Sequence, residues 1–258
     1  MSNSQCYINT NSKHSPSFVY KYRDAENSKH IEAFRENYVY LASPDTFEDK
    51  QDCKYKEYIP KTCYDFYLYH LQEYNKFYFS YNRKNHTSYA KDWANKHFIK
   101  MQNDPIGFDK VWEELNEERI QKIGVLSLSG SPRNEKCWEK HGAMHSGFCI
   151  EYDQNKLFET IKGASSWVNY VNELPVYDGR YDDLKGEYNK KYFTKLKEYA
   201  WENEFRIIKS NPRGFQRNIY LTKDCVKAIY LGKNMKDSNR EEIIKIVKEQ
   251  YNDNVLIY

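Results

Sequence analysis

The residues of this 258-residue chain best suited to chemistry are those of Trp201-Glu202-Asn203-Glu204-Phe205-Arg206-Ile207. On an extended chain, side chains two apart project to the same face, roughly 6–7 Å from each other. The alternation of charged and apolar positions predicts a strand with Glu202, Glu204 and Arg206 on one face. Two carboxylates so placed can serve a reacting group. Burying them unpaired would be costly, so they must face solvent, a cleft or a compensating network. The plain alternative is a solvated strand face on which Arg206 balances two glutamates.

Three further clusters carry chemical residue types. Arg23 closes the run Tyr20-Lys21-Tyr22-Arg23, and a guanidinium fork suits phosphate or carboxylate; a salt bridge to Asp24 is the plain alternative. Trp138, His141 and His145 share one loop, but Gly142 separates the histidines and no Glu follows His141 in zinc-protease order. Asp45, Glu48, Asp49 and Asp52 fit no calcium-loop spacing and are expected to form an exposed acidic loop. No phosphate-binding glycine loop, dinucleotide fingerprint or nucleophile elbow is present.

The elements that must position these residues follow from periodicity. Strands are expected at 18–23, 38–42, 124–129, 147–152, 166–171, 175–177, 219–221, 226–231 and 255–258. A short helix capped by Ser28 should bury Ile31 and Phe34. The segment from about 60 to 122 reads as helical, with its clearest helix started by Asp104-Pro105 and striped by Phe108, Val111, Trp112 and Leu115. A helix over about 185–200 should turn Tyr188, Tyr192, Leu196 and Tyr199 inward. Another should begin with a capping box of Ser238 and Glu241 and bury Ile243, Ile244, Val247 and Tyr251. Strands surround a helical insertion without strict βαβ alternation, which predicts an α+β fold with a mixed, largely antiparallel sheet. Residues 1–17, polar and ending near Pro16, are expected to be a flexible lead-in to a single domain over 18–258.

Composition excludes more than it assigns. Forty basic and 37 acidic residues are too evenly balanced to argue for nucleic acid binding. The six cysteines form no C-x-x-C pair, which fits reduced, packing thiols in a cytoplasmic protein. The polar start does not read as a signal peptide, and no run approaches the roughly 20 apolar residues of a membrane span. With 25 tyrosines, much of the core must have polar edges where hydroxyls find partners.

An ordered series of short motifs then becomes usable: Tyr20-Lys21-Tyr22-Arg23, Ser43-Pro44-x-x-Phe47-x-Asp49, Leu126-Ser127-Leu128-Ser129, Trp138, His145-x-Gly147-Phe148-Cys149-Ile150-Glu151-Tyr152 and Trp201-Glu202-x-Glu204-x-Arg206-Ile207. The series resembles a bacterial family described mainly as a domain of unknown function and met among mobile and phage-defence genes. His141 stands where many members of that family carry Tyr. The chain also resembles ADP-ribosyltransferases, which place Arg or His on an early strand, Ser or Tyr on a middle strand and Glu on a late strand. Arg23, Ser129 and Glu204 occur in that order, Ser127 would serve as well as Ser129, and Glu202 stands as the first Glu of an E-x-E pair.

That likeness implies a sheet split in two and NAD as substrate. Glu204 would bond the ribose hydroxyl, and Glu202 would orient or deprotonate the acceptor. Arg23 would hold pyrophosphate or ribose, and Tyr22 or Trp138 would stack on nicotinamide. Ser129, His145 and Arg206 would complete the cofactor contacts. The implied partners are a macromolecular acceptor, protein or nucleic acid, and a partner or antitoxin protein, in a toxin or phage-defence setting. Two other readings stand beside it: a non-catalytic nucleotide- or partner-binding module, and a metal-dependent hydrolase or nuclease. Geometry separates them. The transferase needs Arg23, Ser129 and Glu204 on one cleft. The metal enzyme needs three clustered ligands. The binding module needs Glu202 and Glu204 tied up by cations with no open cleft.

Overall fold

The computed structural model describes residues 16–53, 55–77, 83–210, 216–251 and 255–258; most of the lead-in expected at 1–17 lies outside them. In chain order the elements are β1 (Phe18–Arg23), α1 (Ser28–Arg35), β2 (Tyr38–Tyr40), β3 (Lys56–Glu57), α2 (Cys63–Phe77), α3 (Arg83–Asn103), α4 (Pro105–Gln121), β4 (Ile123–Ser129), α5 (Glu135–Lys140), β5 (Phe148–Asp153), α6 (Gln154–Ile161), β6 (Ala164–Trp167), β7 (Asn169–Val171), β8 (Val176–Tyr177), α7 (Leu184–Lys191), β9 (Thr194–Leu196), β10 (Glu204–Ser210), β11 (Asn218–Tyr220), β12 (Val226–Leu231), α8 (Asp237–Gln250) and β13 (Leu256–Ile257). The fold is α+β. Its main sheet has the order β13-β12-β5-β1-β4-β10-β6, antiparallel except for the β12–β13 pair. Three two-stranded sheets, β11–β2, β3–β8 and β7–β9, flank it.

Alternation along the strands sorts the two faces of the sheet. Val19, Leu126, Leu128, Ile150, Phe205, Ile207 and Ile229 form one apolar layer, covered by Ile31 and Phe34 of α1, Leu157 and Ile161 of α6, and Ile243, Ile246 and Val247 of α8. The opposite face holds Ser127, Ser129, Glu204 and Arg206, in register across β4 and β10. Helices α2, α3 and α4 pack around their own cluster of Phe66, Tyr69, Ala94 and Phe108. No helix among the described residues is long and apolar enough to cross a membrane.

The join between β1 and β4 positions the site. These neighbours share one register pair, Tyr20 with Ser129, and diverge beyond it toward Arg23. By contrast β1 stays paired with β5 along its whole length, from Phe18–Asp153 to Arg23–Phe148. The sheet is therefore split, four strands to one side and three to the other. Lys21 Nζ spans the opening and donates to the Ser127 carbonyl at 2.7 Å.

Local readings met tertiary packing with mixed results. Asp104 accepts from Gly107 N at 3.0 Å and starts α4 as expected. In α1 the cap is Asn27, which accepts from Lys29 N, and Ser28 is already helical. The Ser238–Glu241 capping box does not form, because α8 starts at Asp237 and Ser238 falls within its first turn. The helix expected over 185–200 stops at Lys191. Beyond it the chain pairs in parallel with β7 as β9, then makes a 3-10 turn over Lys197–Glu202. Burial of Phe193, Thr194 and Lys195 against the sheet outweighs the helical spacing of Leu196 and Tyr199. The run expected as one strand over 166–171 divides between β6 and β7, in different sheets.

Candidate functional site

Arg206 lies in the middle of β10 and is 0 % exposed. Its register partners are Ser127 on β4 and Ser166 on β6. These small neighbours leave room for a guanidinium on a sheet face where larger side chains would fill the space. All five of its N–H donors are used. Nε and Nη2 donate to the two Glu204 oxygens at 2.7 and 2.8 Å, and Nη2 also donates to Asp52 Oδ2 at 2.6 Å. Nη1 donates to the Tyr192 carbonyl at 2.8 Å and to Cys53 Sγ at 3.4 Å. A second cation, Lys195 of β9, donates to Glu202 at 2.8 and 3.0 Å and lies 3.2 Å from Asp52 Oδ2. Three carboxylates thus share two cations in a largely buried network.

The network drives the two glutamates apart. Burial alone would raise Glu204, but Arg206 outweighs it and holds the carboxyl below its usual range. Burial and then the Glu204 charge push Glu202 up to about 7, against the opposing pull of Lys195. Glu204 is therefore ionised at neutral pH while Glu202 exchanges its proton there. Asp52 is held low by Arg206 and Lys195 against its burial. Its Oδ1 is buried and has no hydrogen-bond partner among the described residues.

Glu202 and Glu204 open onto a cavity of about 590 Å³ over the split in the sheet. Tyr20, Tyr22, Phe47, Tyr199 and Trp201 give it aromatic walls, and Lys140 and His141 stand on its α5 side. Lys21 projects into it from the split; burial and then Arg23 bring its ammonium down to about 7. Asn134 fastens the α5 side to the segment carrying Glu202. Its Oδ1 caps α5 at Cys137 N, and its Nδ2 donates to the Trp201 carbonyl at 2.6 Å.

The residues singled out by sequence divide into two groups. Glu202, Glu204, Ser129 and Tyr22 line the cavity. Glu202 does so from the end of the 3-10 turn, not from the strand: Asn203 takes a left-handed φ of 44° and swings the chain before β10 starts. Ser129 Oγ lies 3.3 Å from the carbonyls of Glu202 and Ser131, and the Tyr22 hydroxyl donates to Ser131 O at 2.7 Å. Arg206 sits behind Glu204 as its anchor. Trp138 is buried against Tyr22 and donates to the Pro132 carbonyl at 3.0 Å. His145 stacks on Trp138 and pairs with Glu135 at 3.0 Å. Neither ring lines the cavity. Arg23 has the strand parity of Val19, near Tyr38 and Tyr152, and lines a separate cavity of about 290 Å³.

Of the geometric requirements, the transferase's is met only in part: Ser129 and Glu204 share one cleft, but Arg23 does not line it, and the β1 cation that does is Lys21. The binding module finds both glutamates tied by cations, but beside an open cavity. Among the described residues no group of three His, Cys, Asp or Glu side chains is arranged to hold a metal ion.

Sequence reasoning missed Asp52, Lys195 and Lys21. Asp52 was expected in an exposed acidic loop, yet it is 6 % exposed because Arg206 draws it in. Lys195 was expected on a helix, and only its pairing with β7 turns it toward Asp52 and Glu202. Lys21 sits inside the Tyr20–Arg23 motif, and its charge between aromatic residues was the available signal. In comparison with known proteins, the chain matches no family model, no curated protein and no solved structure.

Proposed function

We propose that the larger cavity is the site of an ADP-ribosyltransferase-like enzyme, which breaks the ribose–nicotinamide bond of NAD and passes ADP-ribose to a macromolecular acceptor, protein or nucleic acid. The observation that carries this reading is the divided pair of carboxylates in one aromatic-walled cleft: Glu204 ionised, Glu202 titrating at about 7. Environments that push two carboxyls apart in this way suit one fixed charge and one proton carrier. Nicotinamide leaves with the electron pair of the C–N bond, and positive charge develops on the ribose. The Glu204 carboxylate, already oriented by Arg206, stabilises that charge at no cost of reorganisation. Glu202 in its ionised form accepts the proton from the acceptor nucleophile as the new bond to ribose forms. Aromatic walls at Tyr22, Tyr199 and Trp201 suit the faces of nicotinamide or adenine.

The test is NAD consumption and macromolecular labelling in cell lysate, comparing wild type with Glu202→Gln and Glu204→Gln, each checked for its fold by circular dichroism. Turnover that falls at least about 100-fold in both variants supports the reading. Folded wild type that neither consumes NAD nor labels any macromolecule overturns it. A toxin or phage-defence role predicts slowed growth on expression of wild type and relief by Glu202→Gln. A second reading, a nucleotide- or partner-binding module, is favoured by the ion pairs that occupy the carboxylate oxygens of Glu202 and Glu204. It predicts saturable nucleotide binding with no change in the nucleotide.

A further inference from the structure

The Glu202 carboxylate is held by one cation. Lys195 Nζ donates to both of its oxygens, at 2.8 and 3.0 Å, and no other donor reaches them among the described residues. A third carboxylate oxygen, Asp52 Oδ2, lies 3.2 Å from the same ammonium and also accepts from Arg206 Nη2 at 2.6 Å. Charges therefore alternate along one path: Glu202, Lys195, Asp52, Arg206, Glu204. The Tyr199 ring lies 4.4 Å from the ammonium, and Lys195 is buried. Strand pairing fixes it there. β9 runs parallel to β7 with Lys195 opposite Tyr170, and the Tyr170 hydroxyl accepts from Glu204 N at 3.0 Å. One pair of strands thus grips both glutamates, Glu202 by its carboxylate and Glu204 by its amide.

Burial opposes the Lys195 charge, but Glu204, Asp52 and Glu202 outweigh it and hold the ammonium above its usual range. It is a permanent cation at neutral pH. The other groups that act on Glu202 do not replace it. Glu204 repels it, and Arg206 is already engaged by Glu204 and Asp52. Tyr170 of β7, Tyr199 of the 3-10 turn and Cys137 of α5 are raised, chiefly by burial, and stay neutral. Lys21 of β1 gives up its proton at about 7, where burial outweighs its acidic neighbours. Glu48, Asp49, Lys140 and His141 also line the cavity. None of these four bonds Glu202.

We infer that Lys195 is the positioning residue of the proposed reaction: it fixes the direction of the Glu202 carboxylate and keeps it in the proton-accepting form. The inference rests on the reading of the larger cavity as a transferase site, but the ion pair it concerns can be measured without turnover. In the proposed step the proton of the acceptor passes to a Glu202 oxygen as the acceptor bonds to ribose. That oxygen must be ionised and held still. When it takes the proton, the other Glu202 oxygen and Asp52 Oδ2 keep the ammonium in place. Without Lys195, Glu202 keeps its burial and the Glu204 charge, both of which favour the protonated form. The protonated carboxyl no longer accepts.

The test has two readouts on the full chain. First, the NMR signal of the isotope-labelled Glu202 carboxyl, identified by its loss in Glu202→Gln, is titrated in wild type, Lys195→Met and Lys195→Arg. The midpoint of about 7 should rise by about one pH unit or more in Lys195→Met, the effect of losing an opposite charge in contact, and return most of the way in Lys195→Arg. Following the carboxyl itself keeps the titration of Lys21 out of the reading. Second, kcat for NAD turnover by Lys195→Met should fall about fivefold or more at pH 7 and recover toward wild type near about pH 9, with KM for NAD changed by less than about threefold. An unmoved midpoint overturns the inference. So does a raised KM with an unshifted pH profile, which makes Lys195 a substrate contact, or a loss of kcat equal at every pH. If Lys195→Met does not fold, Lys195→Gln, which keeps a donor and loses the charge, is read in the same way. A wild type that consumes no NAD overturns the proposed function, while the carboxyl titration still decides whether Lys195 holds Glu202 ionised.

Discussion

Replacing Arg206 by Met tests the network at its centre. The side chain is 0 % exposed, and its removal leaves Glu204 and Asp52 with exposures of 5 % and 6 % and without their main cation. It also strips donors from the Tyr192 carbonyl and Cys53 Sγ. Breaking a buried ion pair from one side costs about 3–5 kcal/mol, since the remaining charge stays desolvated. For a chain of this size each kcal/mol lowers the melting temperature by roughly 2–4 °C, so a fall of about 6–20 °C is expected. The pH dependence gives the sharper check. In the wild type, Glu204 and Asp52 are held below their ordinary values. They therefore stabilise the fold above those values, and that stability is lost as pH falls through the folded values. In Arg206→Met the same carboxyls keep their burial without the cation, so their folded values move above the ordinary ones. Their penalty is then largest at neutral pH and is relieved by acid. Melting followed by far-UV circular dichroism should show the gap between wild type and variant narrowing from about pH 7 to about pH 4.5. A gap under about 4 °C at neutral pH, or one that does not narrow in acid, would refute the reasoning. Arg206→Lys should fall between the two, because one ammonium cannot reproduce a five-donor fork.

Three other outcomes follow from the same geometry. Glu202 has a folded value raised to about 7, so it costs stability as pH rises from its ordinary value through 7, and the cost is complete above that. Thermal melts should accordingly show Glu202→Gln faring better relative to wild type at pH 8 than at pH 5.5, and an unchanged difference would count against the raised value. At Gly147 an added Cβ would meet the Arg23 carbonyl at 2.0 Å, where backbone faces backbone. Gly147→Ala should lower the urea midpoint by the equivalent of about 1–3 kcal/mol and disturb the Arg23 end of β1; a wild-type midpoint would show that the strand ends move apart freely. Asp153 caps α6 by accepting from Lys156 N at 3.2 Å. Asp153→Ala should cost about 1 kcal/mol in urea unfolding, and a loss below a few tenths would remove the cap from the account.

What the chain carries in its local order is the element plan. The run Phe18–Arg23, the strands at 123–129 and 148–153, the helical stretch between Cys63 and Gln121 and the Asp104-Pro105 helix start are all visible because side-chain period, caps and turn residues act over a few positions. The pairing of Glu202 and Glu204 with a nearby Arg was equally legible, and with it the place to look for chemistry. Only the tertiary structure decided which charges meet. Asp52 reaches Arg206 across 154 positions, and Lys195 turns to Glu202 because β9 pairs with β7 and ends a helix that local spacing favoured. The divergence of β1 from β4 likewise puts Lys21, not Arg23, in the larger cavity, and Asn203 moves Glu202 off the strand. The physical reason is common to all of these. Burial of a charge is decided by the partner that compensates it, and such partners come from segments whose meeting depends on sheet order and register, which no local pattern encodes.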